Sequence, residues 1–396
     1  MTAQPVPNYR QTLYSCYAGY IIQAIVNSFA PLLFLTFQSE FSISLDRITL
    51  LVTVNFCIQL LVDLVSVRFV DKIGYRVSIV LAHAFAALGL LGLGLLPYWL
   101  PDPYWGLLAA IVLYAIGGGL LEVLVSPIVE ACPFPNKAGV MSTLHSFYCW
   151  GCVFVILAST AFFALAGTEH WRYLAMLWAL LPLINGIRFL HVPIAPLVSE
   201  EERMPLGKLL RSRVVWLFFL LMVCAGASEQ AMSQWASAFA ESGLQVSKAV
   251  GDLAGPCLFS VLMGTARAIY GKYSERWKLE PFLLGSGVLC VVSYLLAVFS
   301  PVPALALAGC GLCGLSVGIL WPGTFSLGSA RCRRGGTALF ALFALCGDLG
   351  CSSGPTLVGL VSDAAGDLKA GLLAAIVFPI ALILAVLALR RTGAEE

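Results

Sequence analysis

Charged residues are scarce in this sequence. Only 11% of its 396 residues are Asp, Glu, Lys or Arg, and 60% are hydrophobic, whereas a typical soluble domain is about 25% charged. A water-soluble fold could not bury that much apolar surface. The formal net charge is only +2, and the sequence has no basic stripe of the kind that follows a phosphate backbone. The composition therefore predicts an integral membrane protein and argues against a nucleic-acid partner.

The sequence also lacks the patterns of a metal-dependent enzyme. It has no H-E-x-x-H motif, and its four histidines lie on separate segments without ligand spacing: His83, His145, His170 and His191. Nearly all of the thirteen cysteines lie inside apolar stretches, and we interpret them as small reduced core residues. Their two C-x-x-C pairs lack the neighbouring pair that a zinc site needs. We expect no metal, no cofactor and no enzymatic activity.

What the sequence does contain is a series of long apolar runs. A bilayer core about 30 Å thick is crossed by about 20 helical residues. Twelve runs of this kind are predicted, at residues 12–37, 47–69, 76–97, 104–130, 138–165, 170–192, 213–240, 251–273, 280–300, 303–328, 336–361 and 368–389. The first run exceeds the core of a signal peptide and has no cleavage site after it, so we expect a retained helix.

Basic residues between the runs predict the orientation. If the N-terminus is cytoplasmic, Lys and Arg concentrate on the cytoplasmic side, as the positive-inside rule requires. Only five of the 23 basic residues depart from that side: Arg47, Arg172, Lys248 and Lys369 lie opposite, and Arg267 lies within a run. We therefore expect both termini in the cytoplasm and the protein in the plasma membrane, a bacterial inner membrane by preference.

One long hydrophilic connection divides the chain at its midpoint. We predict six helices in residues 1–193, a cytoplasmic connecting loop at 194–212, and six helices in 213–396. The halves echo each other, because Gly119 precedes Pro127 by eight positions and Gly314 precedes Pro322 by eight. Parallel repeats of this kind predict an all-α integral membrane fold, with two six-helix bundles related by a pseudo-two-fold axis along the membrane normal.

The connection between spans two and three carries a recognisable motif. It reads VRFVDKIGYR at residues 67–76, which resembles the major facilitator superfamily signature G-x-x-x-D-R-x-G-R-[RK]. Asp71, Lys72, Gly74 and Arg76 match the signature in kind, whereas Val67 and Tyr75 depart from it. The resemblance implies a gate in which Asp71 pairs with basic residues and a helix end, and Gly74 permits a tight turn. The alternative is a simple turn with snorkelling charges.

Three further segments resemble the sugar-permease branch of that superfamily, which includes the fucose permease. They are GGGLLEVLVSPIVEA in span four, STLHSFYCWG in span five and GASEQAMSQW in span seven. The resemblance implies a sugar transporter that works by alternating access. One departure matters, since the branch carries a proton-coupling aspartate in span one and this chain has none around Asn27. Coupling through that position is excluded.

Ionisable residues at membrane depth are costly and therefore indicate function. The sequence places Glu122, Glu229, Asp348, Asp63 and Arg267 there. Because carboxylates outnumber the arginine, at least one of them would carry a proton. Glu122, Glu229 and Asp348 are the candidates for proton coupling, each with a structural hydrogen bond as the alternative. Arg267 is a candidate gating residue that would either pair with a carboxylate or snorkel to the surface.

A sugar needs amide and carboxylate partners for its hydroxyls and an aromatic face for its C–H surface. Amides recur at the spacing i, i+4 in spans one, two and seven, which places each pair on one helix face. The predicted substrate-binding residues are Gln23, Asn27, Asn55, Gln59, Glu122, His145, Tyr148, Glu229, Gln230, Gln234, Trp235 and Trp321. For each of them taken singly, a hydrogen bond between helices or simple packing is the alternative.

The leading hypothesis is a monomeric secondary transporter of a sugar or polyol, with protons as the preferred driving ion. A facilitative uniporter and an exporter of amphipathic compounds remain open as alternatives. A non-transporting sensor is the remote alternative, and the longest connection, about 20 residues, leaves no room for an output domain.

Overall fold

The computed structural model of the chain describes residues 8–134, 137–195, 210–273, 278–332 and 336–392. All regular secondary structure in these ranges is helical. The helices of the first half are α1 (Tyr9–Ser28), α2 (Phe34–Phe41), α3 (Leu45–Ile73), α4 (Tyr75–Trp99), α5 (Pro103–Ala131), α6 (Lys137–Ala166) and α7 (Trp171–His191). Those of the second half are α8 (Arg213–Ala238), α9 (Lys248–Asp252), α10 (Leu258–Tyr273), α11 (Leu279–Phe299), α12 (Pro303–Val317), α13 (Leu320–Arg331), α14 (Gly336–Ala365), α15 (Leu368–Ala374) and α16 (Val377–Thr392).

The helices confirm the predicted membrane spans. Eleven helical segments in the described ranges are long and apolar enough to cross a bilayer, and each overlaps one of the predicted runs. The remaining run, 336–361, coincides with α14, which has 30 residues and is long enough to cross but is not one of these eleven segments. At 1.5 Å per residue α14 would reach about 45 Å. The predicted all-α membrane fold is therefore confirmed.

Local sequence explains where several helices begin. The side chain of Asp102 accepts a hydrogen bond of 3.0 Å from the Tyr104 amide, and Pro103 occupies the first turn of α5. Pro303 opens α12 in the same way. Proline suits this position because its missing N–H would have no partner there and its φ is already helical. These prolines mark helix starts that the apolar pattern alone predicts within one or two residues.

Five of the spans are not continuous α-helices within the described ranges. Span ten breaks between α12 and α13, and span twelve breaks between α15 and α16. The other three contain a 3₁₀ or a π turn. Span one passes from α1 through a 3₁₀ turn at Ala30–Leu33 into α2. Span seven ends in a π turn at Phe239–Gly243, and span eight has a second π turn at Leu253–Cys257 that contains Pro256. A proline inside a helix removes one backbone hydrogen bond, which accounts for the second turn. Interruptions of this kind free carbonyl groups for side-chain partners.

The helices pack into two compact units. The first contains the described residues of Met1–Phe29, Ile58–Val155 and Ala166–Ser199. The second contains those of Ala30–Cys57, Ile156–Leu165 and Glu200–Glu396. The second unit thus includes one end of spans one, two and five together with the second half of the chain. Most of the predicted connecting loop, residues 196–209, lies outside the described residues, so the division at 194–212 stays a prediction.

Glycines set the closest approach in the second unit, between α8 and α14. A Cβ added at Gly350 would overlap the carbonyl oxygen of Val223, and one at Gly354 would overlap that of Ala227. Small residues spaced four apart let two membrane helices touch through their backbones. The packing of α8, a helix rich in polar side chains, therefore depends on α14 keeping these glycines.

Replacing Gly350 with alanine should destabilise the folded protein because the new methyl group forces two backbones apart. The expected loss is about 1–3 kcal/mol, the usual cost of overpacking, measured as a lower melting temperature in detergent. Gly285 offers a matched control, since a Cβ there meets nothing within 4 Å. Gly285→Ala should melt at the wild-type temperature or above. Equal melting of both variants would contradict the proposed close packing.

Candidate functional site

Polar side chains from α1, α3, α5 and α6 meet inside the first unit. Gln23 Nε2 donates to Glu122 Oε2 at 2.7 Å, and Gln59 Nε2 donates to Asn27 Oδ1 at 2.9 Å. Asn27 Nδ2 lies 3.5 Å from Tyr148 Oη, at the limit of a hydrogen bond. We call Gln23, Asn27, Gln59, Glu122 and Tyr148 the first polar set. The structure thus brings together five of the predicted substrate-binding residues.

The glycine run before Glu122 explains how these helices come close. A Cβ at Gly119 would lie 3.0 Å from Gln59 Cα, and one at Gly118 would lie 3.0 Å from Val26 Cγ1. Contacts at that distance are tighter than ordinary van der Waals packing, so α5 accepts α1 and α3 only because these positions have no side chain. The glycines therefore position Glu122 against Gln23.

The side-chain amide of Gln23 uses only one of its two polar atoms in a hydrogen bond to a described residue. Its side chain is only 3% exposed, and its Oε1 has no hydrogen-bond partner among the residues that the structure describes. The Nε2 group is committed to Glu122, which fixes the orientation of the amide. A buried amide oxygen without a partner is costly, and a hydroxyl group of a bound solute would satisfy it.

His145 lies beside the first polar set rather than within it. Its Nδ1 is 3.4 Å from Tyr20 Oη, which is also 2.9 Å from Ser126 Oγ. The imidazole is exposed, whereas Tyr20 is buried. Hydrogen bonds of this kind orient the imidazole ring.

A second group of polar side chains lies on α8 and α10 in the second unit. Arg267 Nη2 is 3.5 Å from Glu229 Oε2, and Arg267 Nε donates to the carbonyl of Gly318 at 3.2 Å. Gln230 Nε2 lies 3.4 Å from Glu229 Oε1, and Gln234 Nε2 donates to Gln230 Oε1 at 3.1 Å. We call Glu229, Gln230, Gln234 and Arg267 the second polar set. Of the two alternatives for Arg267, the structure selects pairing with a carboxylate.

Two tryptophans predicted to contact a solute are used in packing. Trp235 has no exposed surface, its Nε1 donates to the carbonyl of Pro355 at 3.0 Å, and its ring centroid lies 5.4 Å from that of Phe34. Trp321 lies against Gly347, where any Cβ would overlap its indole ring. The Trp235 ring and its N–H are thus used in packing, and its predicted contact with a solute stays a prediction. A buried tryptophan N–H usually finds such a backbone partner.

Three predicted residues remain: Asp348, Asn55 and Asp63. Asp348 and Asn55 are buried in the second unit, on α14 and α3. Asp63 is half-buried on α3. The hydrogen bonds that define the two polar sets do not include these three residues, and their predicted roles in coupling or binding stay predictions.

The predicted gate is described only in part. Gly74 has φ of +83° and separates α3 from α4, as the tight turn requires. Arg76 Nη1 donates to the carbonyls of Phe189 and Leu190 at 2.7 and 2.9 Å, so it caps the end of α7. The side chains of Asp71 and Lys72 lie outside the described residues. The gating role of this motif stays a prediction.

One short motif invites an enzymatic interpretation. Residues 314–318 read GLSVG, which fits the G-x-S-x-G pattern of hydrolases. The serine belongs to α12, Ser316 is 1% exposed, and its Oγ donates to the carbonyl of Cys313 at 2.6 Å. The pattern therefore lacks the exposed strand-to-helix turn that a nucleophile requires. No group of three potential metal ligands occurs within the described ranges.

Sequence reasoning misses one cluster of charged residues. The charge pattern places Lys248 in a loop, but it begins α9 and forms ion pairs of 3.3 Å with Glu241 and with Asp252. The spacing of Lys248 and Asp252, i and i+4, is a usable signal for a helix. The signal is easily missed because a lysine next to an apolar run usually marks the end of a span.

Comparisons with known proteins find a family match over most of the chain. The family described as the Major Facilitator Superfamily matches residues 16–355. Membrane protein MosC of Rhizobium meliloti is 27% identical over 264 residues, which are 65% of this chain and 62% of MosC. The chain thus spans less than two thirds of that relative.

Solved structures share the fold over nearly the whole chain. The fucose:proton symporter FucP of E. coli superposes with a TM-score of 0.67 at 16% identity, over 96% of this chain and 99% of FucP. A bacterial homologue of the human lysosomal transporter Spinster superposes with a TM-score of 0.79 at 14% identity, over 98% of both chains. At these identities the likeness concerns the fold alone.

Proposed function

This chain belongs to the major facilitator superfamily, and we propose that it moves a sugar or a similar small polyol across the membrane by alternating access. The family accounts for its being a multi-pass membrane transporter with two six-helix bundles. The choice of solute rests on the residues of this chain. We further propose that it resides in a bacterial inner membrane with both termini in the cytoplasm.

The observation that carries the proposal is the first polar set. Sugar hydroxyls both donate and accept hydrogen bonds, so they need amides and carboxylates in mixed order. Gln23, Asn27 and Gln59 supply amides, Glu122 supplies a carboxylate, and Gln23 Oε1 is a buried acceptor awaiting a donor. An amphipathic drug without a donor would leave the Gln23 Oε1 atom unsatisfied, which is the costly outcome. The solved structure of a fucose symporter with the same fold supports the choice.

Glu122 is the preferred proton carrier. Glu229 lies 3.5 Å from Arg267, and the presence of this cation favours the charged form of the carboxylate. Glu122 accepts a hydrogen bond from the Gln23 amide, which either protonation state of the carboxyl group can accept, and it is half-buried. A carboxylate in that setting can gain and lose a proton as the solute comes and goes.

A thermal-shift screen of the purified protein against sugars, polyols and nucleosides tests the solute class. A ligand at a hundred times its Kd should raise the free energy of unfolding by about 2.7 kcal/mol, seen as a higher melting temperature. Gln23→Leu should abolish the shift, and Gln11→Leu, at an exposed position of the same helix, should preserve it. Stabilisation by hydrophobic cations and by no carbohydrate would contradict the proposal.

A further inference from the structure

We call the end of the second unit at which α2 is followed by α3 the far face. A buried aspartate, Asp252, lies at this end. Asp252 has no exposed surface. Ser237 Oγ donates to its Oδ1, Thr160 Oγ1 donates to its Oδ2 at 3.3 Å, and Lys248 Nζ lies within 3.3 Å of the carboxylate. A fully buried carboxylate is tolerated only with partners of this kind. Asp252 belongs to neither the first nor the second polar set.

Lys248 uses all three of its N–H donors. Its Nζ donates to the carbonyl of Leu32, to Glu241 Oε1 at 3.3 Å and to Asp252 Oδ1 at 3.3 Å. The ammonium also lies 5.5 Å from the ring centroid of Phe163, within the range of a cation–π contact. The Leu32 carbonyl belongs to the 3₁₀ turn between α1 and α2. We call Thr160, Ser237, Glu241, Lys248 and Asp252, with the Leu32 carbonyl, the far-face cluster.

The partners in this cluster come from both halves of the chain. Leu32 and Thr160 belong to spans one and five, whereas Lys248 and Asp252 open span eight. Within this cluster, the two hydrogen bonds that join the halves end on Lys248 and on Asp252. If the halves separate at this face, both bonds must break, and the two residues keep only their second-half partners.

A second line of cross-half contacts lies between α3 and α14. Thr53 Oγ1 bonds Thr356 Oγ1, and Cys57 Sγ lies 3.2 Å from Ser352 Oγ. These contacts are neutral, and hydroxyl and thiol groups exchange such partners for water at little cost. The charged cluster is therefore the stronger of the two attachments.

We propose that the far-face cluster is a latch that holds this side of the transporter closed, with Lys248 as its moving part and Asp252 as its anchor. The proposal rests on alternating access, which requires each face to open in turn. When the latch opens, two hydrogen bonds break: the one from the Lys248 ammonium to the Leu32 carbonyl and the one from the Thr160 hydroxyl to the Asp252 carboxylate. Among the described residues, the hydrogen bonds and ion pairs of Lys248 and Asp252 do not reach the first or second polar set. Both residues therefore act on the conformational equilibrium and not on the solute.

Hydrogen exchange of the full-length protein, measured by mass spectrometry, tests the latch without any solute. In Lys248→Met, amides of Ala30–Leu33 and of Phe239–Cys257 should exchange about tenfold faster or more, because charged hydrogen bonds that close this face are gone. Amides of α5 should exchange as in wild type. Lys248→Arg, which keeps the charge, should restore most of the protection.

Two matched variants complete the experiment. Lys369→Met removes a lysine that has no side-chain partner among the described residues, and its exchange should equal that of wild type. Thr160→Val removes one neutral partner and should give a smaller change in the same segments, which keeps the test available if Lys248→Met does not fold. Unchanged exchange at the far face, or faster exchange in every helix, would overturn the latch. Because no solute is needed, failure of the sugar assignment leaves this result interpretable.

Discussion

Glu122→Gln should abolish accumulation of the solute against its gradient while exchange of solute across the membrane continues. Glutamine has nearly the shape of glutamate and still accepts from Gln23 through its carbonyl oxygen, so the solute site persists. It cannot carry a proton, so the pH gradient no longer drives uptake. With one proton per solute, a gradient of one pH unit supports about tenfold accumulation. The variant should equilibrate at a ratio of about one.

This prediction is measured in proteoliposomes with an imposed pH gradient and, separately, by counterflow without one. Glu169→Gln is a suitable control because its carboxylate is 75% exposed and lies at the surface next to His170. That variant should accumulate like wild type. Tenfold accumulation by Glu122→Gln would contradict the assignment of proton coupling to Glu122 and would leave Glu229 and Asp348 as the candidates. Absence of accumulation in the wild type would favour a uniporter.

Arg267→Met should lower the stability of the folded protein more than Gly350→Ala does. The substitution leaves Glu229 buried without the cation that lies 3.5 Å away. Breaking a buried ion pair from one side typically costs about 3–5 kcal/mol. We expect a melting temperature lower by many degrees and transport reduced by about a hundredfold or more, because Glu229 also orients Gln230.

A double variant separates the two effects. Arg267→Met combined with Glu229→Gln removes both charges, so the folded protein should recover most of its melting temperature. Transport should stay low if the pair acts in the transport cycle. Arg188→Met, at an exposed position near the end of α7, should change neither quantity. Recovery of transport in the double variant would show that the Glu229–Arg267 ion pair stabilises the fold and is not needed for transport.

Much of the fold follows from the apolar pattern, because bilayer thickness imposes one helix length on every span. The breaks inside the spans do not follow from it. The turn at Leu253–Cys257 reflects Pro256, whose effect depends on neighbouring helices that accept the freed backbone groups. The sequence therefore predicts helix ends within a few residues. It does not predict where a break in a helix leaves a backbone carbonyl free for a side chain, as at Leu32.

The sequence predicts which types of residue form the candidate site, but it does not predict which of them hydrogen-bond to one another. The i, i+4 spacing places Gln230 and Gln234 on one helix face, and in the structure Gln234 donates to Gln230. Gln23 and Asn27 share the same spacing, yet their partners are Glu122 and Gln59 on other helices. Spacing along one helix carries no information about which helices become neighbours. Residue type alone does not decide the role of Trp235, since tryptophan suits both a sugar platform and a core. Its predicted contact with a solute stays a prediction.

The most direct test of the proposed sugar transport is uptake of a radiolabelled sugar, selected by the thermal-shift screen, into liposomes that contain the purified protein. We expect saturable uptake that Gln23→Leu abolishes and Gln11→Leu preserves. Uptake no faster than in protein-free liposomes for every sugar and polyol tested, by a protein that remains folded, would contradict sugar transport.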